Sequence, residues 1–487
     1  MRRGALIVAR LLLLAGPTVL AFFAGGYFDS PRAVAGLVAW VLVAAGVLLE
    51  PGSWPRTRTA RMALGGLALF AVWTLLSITW APIAGDAYHA GQIVMLYLGT
   101  LVAAALLLRS PAAQRLVEPA LVAGTLVVIG YGLAGRMLPG LLHYARSVTA
   151  EGRLEQPLTY WNAMGELAAL GFVLAARVAG DCTRDRRLRV AAAAACAPLG
   201  MGLYLSFSRG ALFACAAGLL TLIVAVRRRE QLAAVAVAVL GGVLAAVASA
   251  PFRGVTALAG SASARERDGA IVLALLALVT LGTALGQRLL VVRRRSEELT
   301  LPRRAPVLAA ALIGAALALA IVVGAKESSV QSQQLSGGAT RLVTLQSNRY
   351  DYWRVAIKAF ATQPVHGVGA GNWSVYWLRY RHVNEFATDA HSLPLQTLAE
   401  LGLVGLVLLL VFLGAVATAG VQAMRVTATA AGPFAGFVVY VAHSPLDWDW
   451  QMPAVSLVAL VLCGCLLAIR ELPPASAAAG LQAAAAT

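Results

Sequence analysis

Long apolar segments, separated by short polar stretches, run through almost the whole chain. Most hold about 20 residues, enough to cross the roughly 30 Å of hydrocarbon in a bilayer as an α-helix. Because backbone groups in lipid must be satisfied within their own segment, helices are expected here. The pattern predicts an all-α, polytopic transmembrane bundle of about fourteen spans. The predicted spans are residues 11–28, 33–50, 62–80, 90–108, 116–137, 160–178, 190–207, 210–226, 231–250, 269–290, 305–324, 396–416, 428–443 and 453–469.

Composition and charge agree with a membrane protein. Hydrophobic residues make up 60% of the chain and charged residues only 13%, too few to cover a soluble protein of this size. The net charge of +17 is concentrated in basic clusters after every second predicted span. This distribution predicts cytoplasmic N- and C-termini and argues against a nucleic-acid-binding module. The clusters are Arg2, Arg3 and Arg10; Arg56, Arg58 and Arg61; Arg109 and Arg115; Arg184, Arg186, Arg187 and Arg189; Arg227, Arg228 and Arg229; and Arg293, Arg294, Arg295, Arg303 and Arg304.

The same pattern divides the chain into three parts. Residues 1–150 hold the first five spans, and residues 151–470 form the remaining membrane domain with an extracytoplasmic loop at 325–395. Residues 471–487 are rich in alanine and are expected to be a disordered cytoplasmic tail. Because the largest loop is too small for an independent enzyme, any site must combine that loop with the outer ends of the helices. The five cysteines lack the spacing of a zinc site and are expected to be packing residues. No metal site and no cofactor are predicted.

Arg209 is the first candidate for chemistry. It lies in a tight turn, Ser208-Arg209-Gly210, between two predicted spans. An arginine this close to hydrocarbon is costly unless it snorkels to the interface, faces a cavity or pairs with an anion. Its guanidinium binds phosphate in bidentate fashion, so Arg209 is either an anion ligand or a snorkelling interfacial arginine.

A predicted amphipathic helix follows in the large loop. Trp353, Ala356, Ile357 and Phe360 recur at helical spacing, and Asn348 is a suitable N-cap. Arg349 falls in the first turn, where a cation opposes the helix dipole. A bound anion would justify that position, and an ordinary solvated arginine is the alternative.

Two further segments of this loop suggest binding chemistry. Alternate glycines in Gly367-Val368-Gly369-Ala370-Gly371-Asn372 allow close backbone approach to a phosphate, although this signal is weak alone. His391 follows Asp389 at a predicted membrane boundary and is able to act as a general base near neutral pH. A structural role for a lone interfacial histidine is the more frequent alternative.

Aromatic residues cluster at two other outer connections. Tyr160-Trp161-Asn162 opens the sixth predicted span, and a segment from His443 to Trp450 joins the last two. Tyrosine and tryptophan belong to the interfacial belt of membrane proteins, but they also stack on sugar rings. Both segments are therefore candidates to line a glycan groove.

The order of these motifs resembles the O-antigen ligase and O-antigen polymerase superfamily over about residues 150–455. The resemblance implies a glycosyltransferase C-like fold and transfer of a glycan from undecaprenyl pyrophosphate to an acceptor hydroxyl outside the membrane. It implies no metal and no nucleotide sugar. By motif it assigns catalysis to Arg209, Arg349 and His391, and substrate binding to Arg153, Tyr160, Trp161, Asn162, Trp353, Arg354, Gly369, Asn372 and Asp389.

Three alternatives remain open at this point. A polymerase of the same superfamily would join repeat units instead of moving finished chains to a terminal acceptor. A transporter usually shows inverted repeats and ionisable residues near the middle of the membrane, and neither is evident in this sequence. A non-catalytic partner in envelope assembly would not need the ordered set of arginines and histidine.

Overall fold

Helices are the only regular elements in the computed structural model, which describes residues 2–144, 147–292 and 349–471 together with the isolated positions 304, 308 and 311. In these ranges the first helices are α1 (Arg2–Ala21), α2 (Asp29–Leu49), α3 (Arg58–Leu76), α4 (Ala84–Leu107), α5 (Pro111–Met137) and α6 (Trp161–Gly180). The next are α7 (Arg186–Leu205), α8 (Arg209–Val226), α9 (Arg229–Ser249), α10 (Arg253–Thr256) and α11 (Ala262–Val292). The last are α12 (Arg349–Thr362), α13 (Trp373–Tyr380), α14 (Leu393–Met424), α15 (Ala431–His443) and α16 (Pro453–Arg470).

Twelve of the described helices are long and apolar enough to cross a membrane, which confirms a polytopic, all-helical membrane protein. A shorter apolar segment, Ala428–His443, corresponds to the predicted span at 428–443. Apart from positions 308 and 311, the predicted span at 305–324 lies outside the described residues, as do the N-cap at Asn348 and residues 472–487 of the predicted tail.

The core of the bundle is built around α6 and α16. Every residue of α6 from Asn162 to Gly180 is buried, and α6 packs against α5, α7, α8 and α15. Small residues permit this crowding, because helix backbones approach closely only where side chains are short. Gly165, for example, lies against Ser206 and Ala211, where an added Cβ would come within 2.6 Å of the Ser206 hydroxyl. α6 thereby brings the starts of several helices together at one end of the bundle.

Helix α14 is kinked at Gly402, and the kink receives the glycine-rich loop. Gly402 has φ +65° and ψ −163°, a conformation that only glycine adopts readily. The freed backbone bonds to the loop, since Leu403 N donates to Pro364 O and Gly369 N donates to Glu400 O at 2.9 and 2.8 Å. The spacing from His391 to Gly402 therefore has a physical basis. It puts the kink that receives the glycine-rich loop about two and a half turns after the start of α14.

Helix α12 packs against α14 through a different face from the predicted one. Its buried residues are Tyr352, Val355, Ala356 and Ala359, whereas Ile357 is 55% exposed. The predicted stripe of Trp353, Ala356, Ile357 and Phe360 is therefore wrong by about one residue of helix rotation. The buried face joins Trp373 and Trp377 of α13 in a separate apolar cluster beside α14.

Candidate active site

Asp447 is the centre of a buried polar cluster at one end of the bundle. It lies between α15 and α16 and its side chain is only 1% exposed. Arg349, the first residue of α12, donates from Nη2 to Asp447 Oδ2 at 2.6 Å. Tyr160, just before α6, donates its hydroxyl to Asp447 Oδ1 at 2.5 Å. A residue far along the chain from both thus holds Arg349 and Tyr160 together.

The predicted residue Asn162 extends this cluster. Its side-chain amide donates to the Tyr160 hydroxyl at 2.7 Å and is itself buried. Tyr160 therefore has a donor on one side and a carboxylate acceptor on the other, so the direction of its hydroxyl is fixed.

His391 is half-buried at the start of α14 and its ring is held in one orientation. Its backbone has φ +52°, a left-handed conformation that is uncommon outside glycine. Nδ1 lies 2.9 Å from the carbonyl oxygen of Asp389. Because a carbonyl only accepts, Nδ1 carries the proton, and Nε2 of the neutral ring keeps a free lone pair. That is the tautomer that a general base requires.

Charges around Asp447 fix the protonation of the neighbouring groups. Burial alone would raise the pKa of Asp447, but Arg349 and His391 outweigh burial and hold that pKa below its usual value. Burial lowers the pKa of Arg349, but Asp447 more than compensates and keeps the guanidinium charged. Burial lowers the pKa of His391, an effect that Asp447 opposes and Arg349 reinforces. The site therefore combines a carboxylate, a cation and a neutral imidazole.

Arg209 lies in a turn that contacts the connection between α15 and α16, which contains Asp447. Ser208 caps α8 by accepting from Ala211 N at 3.3 Å, which leaves Arg209 as the first helical residue. An added Cβ at Gly210 would lie 2.9 Å from His443 Nε2 and 3.6 Å from Leu446 Cδ1. The turn of Arg209 therefore packs directly on the segment that precedes Asp447.

Aromatic rings form one wall of the site. The rings of Tyr160 and Trp448 lie 4.6 Å apart, those of Tyr160 and Trp161 5.1 Å, and those of Trp448 and His391 6.0 Å. Arg153 lies over Trp161, with its guanidinium carbon 3.8 Å from the ring centre. This arrangement brings the predicted residues Arg153, Tyr160 and Trp161 into contact with the Asp447 cluster.

Two predicted residues of α12 have different surroundings. Trp353 donates from its indole to His391 O at 3.4 Å and so supports the histidine directly. Arg354 pairs with Asp351 on its own helix and is 43% exposed. Arg354 thus lies away from Asp447 on the helix surface, and its role in substrate binding stays a prediction.

The remaining predicted binding residues hold loops together. Asn372 is fully buried, accepting from Ile83 N at 2.7 Å and donating to Ala370 O at 2.8 Å. An added Cβ at Gly369 would lie 2.5 Å from Ala81 Cβ. The Asp389 carboxylate accepts from Gln396 at 3.0 Å and from Thr388 at 2.7 Å. Asp389 therefore fixes the segment whose carbonyl orients His391.

The amides of the glycine-rich loop have partners inside the protein. Gly371 N and Trp373 N donate to the Glu400 carboxylate at 2.9 and 3.2 Å. In this structure the predicted phosphate cradle is thus a docking loop for α14.

Sequence reasoning missed two features of the site. The segment from His443 to Trp450 is a predicted candidate for the glycan groove, but the sequence does not single out Asp447 in it as the common partner of Arg349 and Tyr160. A second buried cluster, Glu166, His443 and Asp449, was not predicted either. The available signal was the presence of two aspartates and a histidine in a short connection between apolar helices, where charge is costly.

The fold and the site together define a polytopic helical membrane protein with a basic, histidine-containing site at one end of its bundle. Residues 254–410, about a third of the chain, match the family model described as O-antigen ligase, so this part of the chain is similar to that family. That family indicates a membrane glycosyltransferase of the O-antigen ligase or polymerase type. The matched residues include Arg349 and His391, while Arg209 and Asp447 lie outside them. No curated protein matches the chain.

Proposed function

We propose that this protein transfers a glycan from an undecaprenyl pyrophosphate carrier to an acceptor hydroxyl on the extracytoplasmic face of the membrane. The observation that carries the proposal is the contact of His391 Nδ1 with Asp389 O, which leaves Nε2 as the basic nitrogen, close to the pair of Arg349 and Asp447. A base and an anion-binding cation are the two groups that metal-free transfer from a pyrophosphate requires.

The reaction follows from these roles. His391 Nε2 takes the proton of the acceptor hydroxyl as its oxygen attacks the anomeric carbon of the donor sugar. The bond from that carbon to the pyrophosphate oxygen breaks, and undecaprenyl pyrophosphate leaves with the bonding electrons. Direct displacement inverts the anomeric configuration.

Arginines stabilise the leaving group in this mechanism. Negative charge grows on the pyrophosphate in the transition state, and fixed cations in a low-dielectric site stabilise it more than water does. Arg349 is held by Asp447 and Arg209 lies in the adjoining turn, so both are assigned to the pyrophosphate. Asp447 is a positioning residue, because it acts by fixing the direction of Arg349.

The aromatic wall supports the assignment of a sugar substrate. Trp161, Tyr160 and Trp448 are joined by ring contacts from Arg153 towards His391. Aromatic faces stack on the apolar faces of sugar rings, so this wall is assigned to the glycan next to the scissile bond.

The test is a transfer assay with purified protein in membranes, lipid-pyrophosphate-linked glycan, candidate acceptors and a chelator of divalent cations in the buffer. We expect a glycosylated acceptor and free undecaprenyl pyrophosphate with wild-type protein. Failure to transfer to any hydroxyl acceptor while the donor remains bound would contradict the proposal.

The same assay separates ligase from polymerase activity within the family. A ligase moves one long donor glycan to the acceptor and leaves its length unchanged. A polymerase converts donors that carry single repeat units into a ladder on the lipid carrier. Glycan length on each product therefore assigns the activity.

A further inference from the structure

Glu166, His443 and Asp449 form a second ionisable cluster, behind Asp447 and within the bundle. Their side chains are 0%, 1% and 1% exposed, and one donor atom from each lies within 4.8 Å of the others. His443 Nδ1 contacts Asp449 Oδ2 and lies 3.3 Å from Glu166 Oε2. Two carboxylates at this depth carry a large desolvation cost, and the single imidazole of His443 supplies at most one positive charge against them.

Several polar atoms of the cluster lack a hydrogen-bond partner among the residues that the structure describes. They are Glu166 Oε1 and Oε2 and Asp449 Oδ1, and all are buried. His443 Nε2 also lacks a partner there, but it faces Gly210 on the other side of the ring. Buried polar atoms in proteins are almost always satisfied, so these oxygens are expected to have a bound partner. Three such oxygens on two adjacent carboxylates mark a specific place for it.

We propose that Glu166, His443 and Asp449 bind one divalent transition-metal cation, with Zn²⁺ as the best match. The donor set is an imidazole nitrogen and two carboxylates, which suits Zn²⁺ among the common biological cations. The charge of the cation balances the two carboxylates. One donor from each residue fills three positions of a tetrahedral site, and a water would fill the fourth.

The spacing of the donors agrees with tetrahedral coordination. Ligand bonds of about 2.1 Å at tetrahedral angles separate neighbouring donor atoms by about 3.4 Å. The distance from Glu166 Oε2 to His443 Nδ1 is 3.3 Å. Asp449 Oδ2 is closer to His443 than this, but rotation of the carboxylate presents its unpartnered Oδ1 instead.

The position of the cluster gives the cation a structural role. Asp449 is two residues from Asp447, and His443 packs against Gly210 in the turn of Arg209. Glu166 projects from α6 one turn below Asn162 and Tyr160. One ion at this point fixes the loop of Asp447, the turn of Arg209 and the start of α6 together. It touches no substrate, so this inference is independent of the proposed transfer reaction.

The decisive experiment is elemental analysis of the full chain, purified in detergent with a tag that contains no histidine. After growth with zinc and washing with a chelator, we expect about one zinc per protein, because a fully buried site exchanges slowly. Glu166→Gln, His443→Gln and Asp449→Asn should each lower the zinc content at least about tenfold. His391→Ala is the matched control and should keep its zinc.

A second measurement uses only wild-type protein, so it tests the proposal even if the three variants fail to fold. Heating with a phenanthroline chelator should lower the apparent Tm by several degrees relative to its non-chelating positional isomer, because loss of a bound ligand destabilises the folded state. Wild-type protein with less than about a tenth of an equivalent of zinc, and a Tm that the chelator leaves unchanged, would overturn the proposal. Equal zinc in wild type and the three variants would also overturn it.

Discussion

Arginines are present at both ends of this helix bundle, but their most informative partners differ between the two ends. At the end opposite Asp447 they bind the carbonyl ends of helices and a few carboxylates. Arg2 donates to Leu49 O and Arg10 to Leu107 O, both at 2.8 Å. Guanidinium groups at helix C-termini satisfy orphan carbonyls and complement the helix dipole. The arginines at this end therefore hold neighbouring helices together through hydrogen bonds to carbonyl groups.

At the Asp447 end some arginines also bind carbonyls, as Arg136 does at Val255 O, but one buried carboxylate organises the site. Arg349 bonds to Asp447, and His391 lies close enough for Asp447 and Arg349 to influence its pKa. The comparison shows that the number of arginines does not locate the function. What distinguishes this end is a buried aspartate that an arginine and a tyrosine contact, beside a half-buried histidine.

Removing the base should give the largest change. His391→Ala is expected to lower the rate of glycan transfer by about 10²- to 10⁴-fold, the usual contribution of a positioned general base. His382→Ala, an exposed histidine of the same connection, is the matched control and should stay close to wild type. The rates are measured in the transfer assay at saturating donor. Equal rates for His391→Ala and wild type would remove the base assignment.

The strongest effect at the opposite end should be on stability instead of transfer. Arg184 and Glu118 form a pair at 2.5 Å, with side chains 4% and 1% exposed. Arg184→Gln leaves a buried carboxylate unpaired and should destabilise the protein by about 3–5 kcal/mol. Thermal unfolding measures this, with the exposed Arg187→Gln as the control. Transfer per folded molecule should not change, and a selective loss of transfer would contradict the division between the two ends.

A smaller effect on transfer is expected from the partner of Arg349. Asp447→Asn keeps the size of the side chain but loses the charge, and a hydrogen bond between charged groups contributes about 1.5–3 kcal/mol. Transfer should fall by about 10- to 100-fold, mainly in kcat, since Arg349 is misdirected in the transition state. Asp351→Asn, which breaks a surface pair on the same helix, should change the rate less than about twofold.

The smallest expected effect is a shift in the pH dependence of the transfer rate. Transfer requires neutral His391, so the rate rises with pH through the pKa of His391 and levels off above it. Burial places this pKa below the ordinary value of 6.5, so the acidic limb lies below that pH. Asp447 raises the pKa of His391, and Asp447→Asn should therefore move the limb to lower pH. A limb that moves to higher pH would contradict the coupling between the two groups.

Much of the fold was predictable because hydrophobicity in a membrane is a local property. A run of about 20 apolar residues must form a helix whatever its neighbours are, since lipid offers no hydrogen bonds to the backbone. The predicted spans in the described ranges accordingly agree with the helices to within a few residues at most ends, although α1, α4, α5, α11 and α14 differ by about five residues or more at one end at least. Arg349 and His391 were also accessible, because a cation at a helix start and a histidine at a membrane boundary are unusual within their own segments.

Pairings between distant segments were not accessible in the same way. The buried face of α12 is set by contact with α14 and α13, so the local pattern placed it one residue off. Gly369 and Asn372 have the composition of a phosphate loop, yet Ala81 and Ile83 occupy the space beside them.

Asp447 and the Glu166, His443 and Asp449 cluster depend most on tertiary structure. The sequence by itself determined where the chain crosses lipid and which side chains are chemically unusual. Only the folded bundle decided which of them are electrostatically coupled, because this coupling acts over a few ångströms in space whatever the sequence separation, which is 98 for Arg349 and Asp447.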